Sequence, residues 1–195
     1  FDILILPDGY YGGMMNDAVL GKVKSFVRNG GKVVAIGGGV SAFAGKDGFS
    51  LKKNEQNKKE KDTSAMLIPY AEREMSRVEN FITGSIFKTK VDTTHPLAFG
   101  YDDTYYSLKL GSDSFSYLDD GYNVAYIDEP QSVSGFAGKK ATEDLKNSLV
   151  FGEERMGSGS FVYLVDDPLF RAFWQNGKLF FANAIFFVNN NKFIL

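Results

Sequence analysis

The chain has 195 residues, 44% of them hydrophobic and 24% charged, with a net charge of −2. These values exclude a disordered tail or a fibre, and the lack of a basic excess argues against a nucleic-acid partner. No apolar run reaches the ~20 residues that cross a bilayer, so no membrane span is predicted.

Taken in chain order, Phe1 to Leu6 is a nearly continuous apolar run that ends at Pro7-Asp8-Gly9. It predicts a strand buried on both faces, followed by a turn. Asn16 to Asn29 predicts a helix with Val19, Leu20, Val23, Phe26 and Val27 on one face. Asn16 or Asp17 can cap it, and Gly30-Gly31 ends it. Lys32 to Ile36 predicts a second buried strand. Gly37-Gly38-Gly39 then turns into a short helical start at Val40 to Ala44. This order is a βαβ unit, which implies a parallel sheet covered by helices.

Lys46 to Asp62 mixes six lysines with four acids and predicts a solvated loop. Pro69 to Phe81 has helical spacing, with Met75, Val78 and Ile82 beneath charged neighbours. Ile86 to Val91 predicts a strand, and His95 to Tyr101 an irregular loop around Pro96. Tyr105 to Leu110 and Tyr122 to Ile127 predict further strands, with a short helix at Thr142 to Asn147. Leu149 to Glu153 and Ser160 to Val165 flank Met156-Gly-Ser-Gly159 as a hairpin. Pro168 can open a helix through Phe170, Phe173 and Trp174. After Gly177, Lys178 to Val188 is apolar on nearly every side, as in a buried helix. The sum is one α/β domain over residues 1–195, its sheet mostly parallel and flavodoxin-like, with helices on both faces and an antiparallel late portion. No signal peptide is visible, and a chain opening on a strand is expected to be a fragment of a longer protein.

Two counts limit the chemistry. There is no cysteine, so disulfides, thiolate metal sites and a cysteine nucleophile are excluded. There is one histidine, His95, so a His-rich zinc site cannot be built, and a Ser-His-Asp triad could only use that residue. No metal site is expected. His95 is either a ligand-contacting or catalytic group, or a loop histidine whose ring bonds a backbone carbonyl and fixes the turn before Pro96. Gly37, Gly38 and Gly39 with Ala42 satisfy a dinucleotide pattern, but the partner acid that should end a next strand is replaced by the Lys-rich loop. The glycines otherwise serve a tight turn. Tyr10 and Tyr11 would line a pocket beside that turn or cap the sheet edge. Arg171 would pair with Asp166 or Asp167, or hold an anion. The pairs Asp102-Asp103 and Asp119-Asp120 are candidates for a hard cation only with further oxygens.

Phe1 to Gly9 and Gly30 to Ala42 together resemble the core of the class I glutamine amidotransferase-like superfamily. There a strand ending in Pro-Gly-Gly precedes a strand that ends in an Ala-Ile-Cys-x-Gly elbow. Matched residue by residue, the nucleophilic cysteine falls on Gly37. The family's His-Pro-Glu matches Asp167-Pro168-Leu169, so base and orienting acid are replaced as well. Ser41, four residues past the elbow, is a poor substitute. A narrower resemblance rests on Leu6 to Tyr11, the glycine elbow, Thr94 to Tyr101, Ser134-Gly135, Pro168 to Ala172 and Asn183 to Ile185. It is similar to the amidotransferase-like domain at the C-terminal end of bacterial zinc carboxypeptidase (carboxypeptidase A-like) proteins. That resemblance implies a non-catalytic accessory domain with elements missing before residue 1, and the peptidase domain of the same parent chain as its partner. It places zinc in that front domain only, with no cofactor in this chain, and implies a secreted, periplasmic or envelope location. The alternatives are a small-ligand module at Gly37–Gly39, or a hydrolase of unknown type using His95 with Ser41 or an aspartate.

Overall fold

The computed structural model describes residues 1–54 and 69–189. The charged run from Lys46 is a bent, loop-like segment as far as Asn54, and the rest of it lies outside the described residues. One seven-stranded mixed sheet organises the chain in the order β1-β2-β7-β6-β5-β3-β4. Its strands are β1 (Ile3–Leu6), β2 (Lys32–Ile36), β3 (Ile82–Val91), β4 (Thr104–Lys109), β5 (Tyr122–Ala137), β6 (Ser148–Met156) and β7 (Gly159–Leu164). The helices are α1 (Asp17–Arg28), α2 (Tyr70–Glu79), α3 (Lys139–Glu143) and α4 (Lys178–Phe186).

The βαβ unit forms as the pattern requires. Asn16 Oδ1 accepts the Val19 N–H at 3.1 Å and caps α1, which buries Leu20, Val23 and Val27. Ile3 of β1 lies opposite Lys32 of β2 in parallel register. β2 then pairs in parallel with β7, Lys32 opposite Ser160. The four remaining neighbour pairs are antiparallel. Followed across the sheet, β1, β2, β7, β5 and β4 run one way, and β6 and β3 the other. Two apolar layers cover the sheet. One packs α4 against Val34, Phe151, Val162 and Leu164; the other packs α1 and Phe43 against Val33, Ala35, Phe161 and Tyr163.

Several expectations change on folding. β1 is an edge strand rather than a strand buried on both faces; only Leu6 is buried and Ile5 is 38% exposed, because among the described residues no strand covers its outer side. β5 runs ten residues past Ile127, since its second half pairs with β3 although β6 leaves it at Ile127. The short helix α3 starts three residues before Thr142. The stretch after Pro168 is not one helix. It makes two 3₁₀ turns, Phe170–Ala172 and Gln175–Gly177, because Arg171 and Ala172 take left-handed backbone angles (φ 48° and 59°) that an α-helix cannot hold. α4 is apolar all round yet buries only one side: Phe180, Asn183 and Ala184 face the sheet while Leu179 and Phe186 face outward. Met75 and Val78 of α2 are likewise exposed.

Lys32 begins the central strand β2 and is buried. Its Nζ donates to the Ala184 and Ile185 carbonyls at 2.9 and 2.8 Å, near the C-terminal end of α4. Burial pushes this ammonium down to about 8, against the opposing pull of Glu153. Between pH 8 and 10 the unfolded chain keeps a proton there that the folded chain has released, so stability rises with pH across that window. Tyr101 and Tyr117 are pushed up to about 12 by burial. Above pH 10 the unfolded chain therefore loses its tyrosine protons first, and stability falls. The urea midpoint should climb from pH 8 to 10 and then drop. In Lys32→Met the climb should vanish while the drop remains.

Candidate functional site

In an α/β sheet, ligands bind at the carboxyl ends of the parallel strands. At that end of β2 and β7 lies a cavity of about 240 Å³, lined by Asp8, Gly37, Gly38, Lys109, Asp113, Asp166 and Asp167 among others. Gly37 opens the 3₁₀ turn Gly37–Ala42 with φ +52°, a left-handed angle costly for any residue with a side chain. A Cβ at this position would lie 2.5 Å from Asp8 Oδ1 and 2.8 Å from its Cγ. The Asp8 carboxylate, from the turn after β1, therefore fills the space where a nucleophile would project. Its Oδ1 also accepts the Gly38 N–H at 2.7 Å. In enzymes with a nucleophile elbow, the N–H of the residue after the nucleophile stabilises the oxyanion. Here that donor is already held by a carboxylate. Gly38 itself packs so closely that a Cβ would meet the Gly9 carbonyl at 2.3 Å.

The cavity's other wall is a buried polar cluster. Asp166, just past β7, accepts from Lys109 Nζ at 2.8 Å and from Ser107 Oγ at 2.6 Å. All three residues are buried. Period-2 alternation points Tyr105, Ser107 and Lys109 of β4 to the same face. Asp167 spends one oxygen on its own turn, where Oδ1 accepts the Leu169 N–H at 2.8 Å. Among the described residues the cavity lining thus offers carboxylates and one ammonium paired with Asp166.

The sequence candidates are divided by the fold. Gly37, Gly38 and Asp167 share the cavity. Tyr10 is 92% exposed, and Tyr11 turns back to donate its hydroxyl to the Pro7 carbonyl at 3.0 Å. Neither tyrosine lines the cavity, nor do Gly39 and Ser41. Arg171 is exposed with its guanidinium over the Phe170 ring at 5.2 Å. Of the two partners expected for it, Asp166 accepts from Lys109 and Asp167 from the Leu169 N–H. His95 is buried away from the elbow: Nδ1 accepts the Leu97 N–H at 3.1 Å rather than meeting a carbonyl, and Nε2 lies 2.9 Å from Glu153 Oε2. Asp119 pairs with Lys52 at 2.6 Å, and Asp103 accepts from the Thr104 hydroxyl. Among the described residues no group of three or more histidines and carboxylates is placed to hold a metal ion. Lys109, Ser107 and Asp8 went unnoticed in the sequence because no local pattern marks them. The inward alternation of Ser107 and Lys109 was the one available signal.

No family model and no curated protein sequence matches the chain. Solved structures do match. A cytoplasmic protein from Salmonella typhimurium is similar with a TM-score of 0.51 and 15% identity, over 94% of this chain and 70% of its own. A candidate GMP synthase component from Thermoplasma acidophilum also gives 0.51 and 15%, over 94% and 71%. Likeness at this identity shows the fold alone, a mixed α/β sheet with helices, consistent with the flavodoxin- and amidotransferase-like kind.

The elbow geometry makes a quantitative expectation. Gly37→Ala combines a left-handed side chain, about 1–2 kcal/mol, with displacement of the Asp8 carboxylate. The total loss should be roughly 2–4 kcal/mol, with the part above the backbone strain set by how far Asp8 can move. In an Asp8→Ala background the same change should cost only the backbone part. Urea unfolding of the four proteins as a double-mutant cycle measures the difference. Equal costs in both backgrounds would mean that Asp8 does not fill the nucleophile's space.

Proposed function

We propose that this chain is a non-catalytic amidotransferase-like domain, acting as an accessory interaction module of a larger zinc carboxypeptidase-like protein. One observation carries the non-catalytic reading. The nucleophile position is a left-handed glycine, its side-chain space is filled by Asp8, and the adjacent oxyanion donor is bound to that same carboxylate. A thiol or hydroxyl attacking a carbonyl needs a base within reach. The matched base position, Asp167, is a carboxylate tied to its own turn, and the matched acid position is Leu169. His95, the single imidazole, accepts the Leu97 N–H and lies against Glu153 elsewhere on the sheet.

The accessory part rests on the sequence resemblance, which also puts zinc in the peptidase domain and the parent outside the cytoplasm. The apolar outer surface of α4 supports it. Leu179 and Phe187 are exposed there beside Phe99, whose ring centroid lies 5.1 Å from that of Phe187. A contiguous apolar surface of this kind marks an interaction site, and the peptidase domain is the partner proposed for it. A second reading keeps the elbow cavity as a small-ligand site. Its lining carries four aspartates against one lysine, so a ligand bearing amino or hydroxyl groups would suit it and a phosphate would not.

Two measurements test the proposal. Neither the native chain nor Gly37→Cys should release ammonia from glutamine above the blank. Release by the native chain would overturn the non-catalytic reading. Leu179→Ser with Phe187→Ser should weaken association with the separately expressed peptidase domain by roughly tenfold or more, the loss typical of an aromatic anchor, with little change in Tm. A ligand screen separates the second reading, since a true ligand at 100 times its Kd adds about 2.7 kcal/mol to stability.

A further inference from the structure

Beneath α4, on the sheet face that carries Val34 and Val162, polar groups from α4, the His95 turn and strands β2, β6 and β7 lie near one another. His95 Nδ1 accepts the Leu97 N–H at 3.1 Å. The Leu97 carbonyl accepts from Asn183 Nδ2 at 2.9 Å, and the Phe99 carbonyl does so at 2.7 Å. The next carbonyls along α4, those of Ala184 and Ile185, accept from Lys32 Nζ. Lys32 lies opposite Ser160 in the sheet, and two residues further along β7 Val162 lies opposite Glu153. Glu153 Oε2 returns to His95 Nε2 at 2.9 Å, a close approach not aligned as a hydrogen bond.

Four side-chain atoms of this polar region are buried without a hydrogen-bond partner: His95 Nε2, Glu153 Oε1, Ser160 Oγ and Asn183 Oδ1. Their residues are 7%, 1%, 0% and 0% exposed. Native structures rarely leave such atoms unpaired, and a cluster of them is satisfied by buried water. The chemistry of the set narrows the occupant. Because Nδ1 accepts from Leu97, the imidazole proton sits on Nε2, which is then a donor. Ser160 both donates and accepts, while Glu153 Oε1 and Asn183 Oδ1 only accept. A cation would face the Lys32 ammonium, the His95 N–H and the Arg155 Nε that lies 3.5 Å from Glu153 Oε1. An anion would face the Glu153 carboxylate and the Asn183 carbonyl. A small neutral molecule with two donors and two acceptors suits all four.

We infer that these unpaired atoms of His95, Glu153, Ser160 and Asn183 bind ordered internal water, which fastens α4 and the His95–Leu97 turn to the sheet. The site lies apart from the elbow and does not depend on the function proposed above. A high-resolution crystal structure of the full chain tests it directly. At least one water should appear within hydrogen-bond distance of two or more of the four atoms. The site is refuted if those atoms have rotated to satisfy one another with no water between them, or if an ion occupies the position. In solution, water–amide Overhauser cross-peaks should reach the Leu97 and Ser160 amides. They should be lost in Ser160→Val, whose extra methyl groups fill the space. Cross-peaks of unchanged intensity in that variant would likewise overturn the assignment.

Discussion

Asp166 follows β7 by two residues, and its carboxylate holds Lys109 and Ser107 of β4, four positions away in the strand order. A flat sheet with strands about 4.8 Å apart would separate those strands by about 19 Å. The short Ser107 side chain, the Asp166 side chain and two residues of chain reach only about 16 Å, so the sheet must coil until its antiparallel edge returns over the parallel strands. Tyr105 makes the same journey: its ring packs on Phe151 and Phe180, and its hydroxyl accepts the Trp174 indole N–H at 3.2 Å. The pair adds little net stability by itself, because desolvating both charges offsets most of their attraction. Removing one partner is another matter, since a lone buried charge costs about 3–5 kcal/mol. The pair therefore acts as a constraint on where β4 may land. That landing encloses one apolar layer and forms a wall of the elbow cavity.

The elbow keeps the shape of a catalytic turn while holding different chemistry. The left-handed angle at Gly37 and the close approach of Gly38 to the Gly9 carbonyl are demands of geometry, which glycine meets without a side chain. Asp8 then supplies, from within the fold, an acceptor for a backbone donor that would otherwise point into the cavity. A carboxylate fixed there is a structural ligand, and it ties the turn after β1 to the turn after β2. The same contact ties the edge of the βαβ unit together and occupies the Gly38 N–H.

Adjacent residues of β6 link the two layers. Glu154 accepts the Tyr163 hydroxyl at 2.7 Å and the Ser50 N–H at 2.8 Å. Glu153, pointing to the opposite face, meets His95. Alternation along one strand thus places two buried acids on two sides of the sheet. Each is held by groups distant in sequence. Burial and the Glu154 charge together push the Tyr163 hydroxyl well above its ordinary range, so it stays a donor at any physiological pH.

The sequence by itself determined the features whose causes are local. The cap at Asn16, the apolar face of α1 and the glycine that ends it placed that helix within a residue at either end. The continuous apolar run Lys32 to Ile36 marked β2 at its observed limits, and the glycines located the elbow. What depended on distant partners was decided only by the tertiary structure. The Phe1 to Leu6 run looks like a central strand, yet lies at an edge because nothing in its own residues records which strands stand beside it. The second half of β5, with Pro130, Ser134 and Gly135, has little strand character and is extended because β3 pairs with it. Lys109 and Asp166 are 57 residues apart, and His95 and Glu153 meet across a similar span; no spacing rule connects such pairs. Periodicity, caps and backbone angles act over a few residues and leave a pattern there. Charge pairing and sheet order act through space, and they become visible only when the coiled sheet brings the partners together.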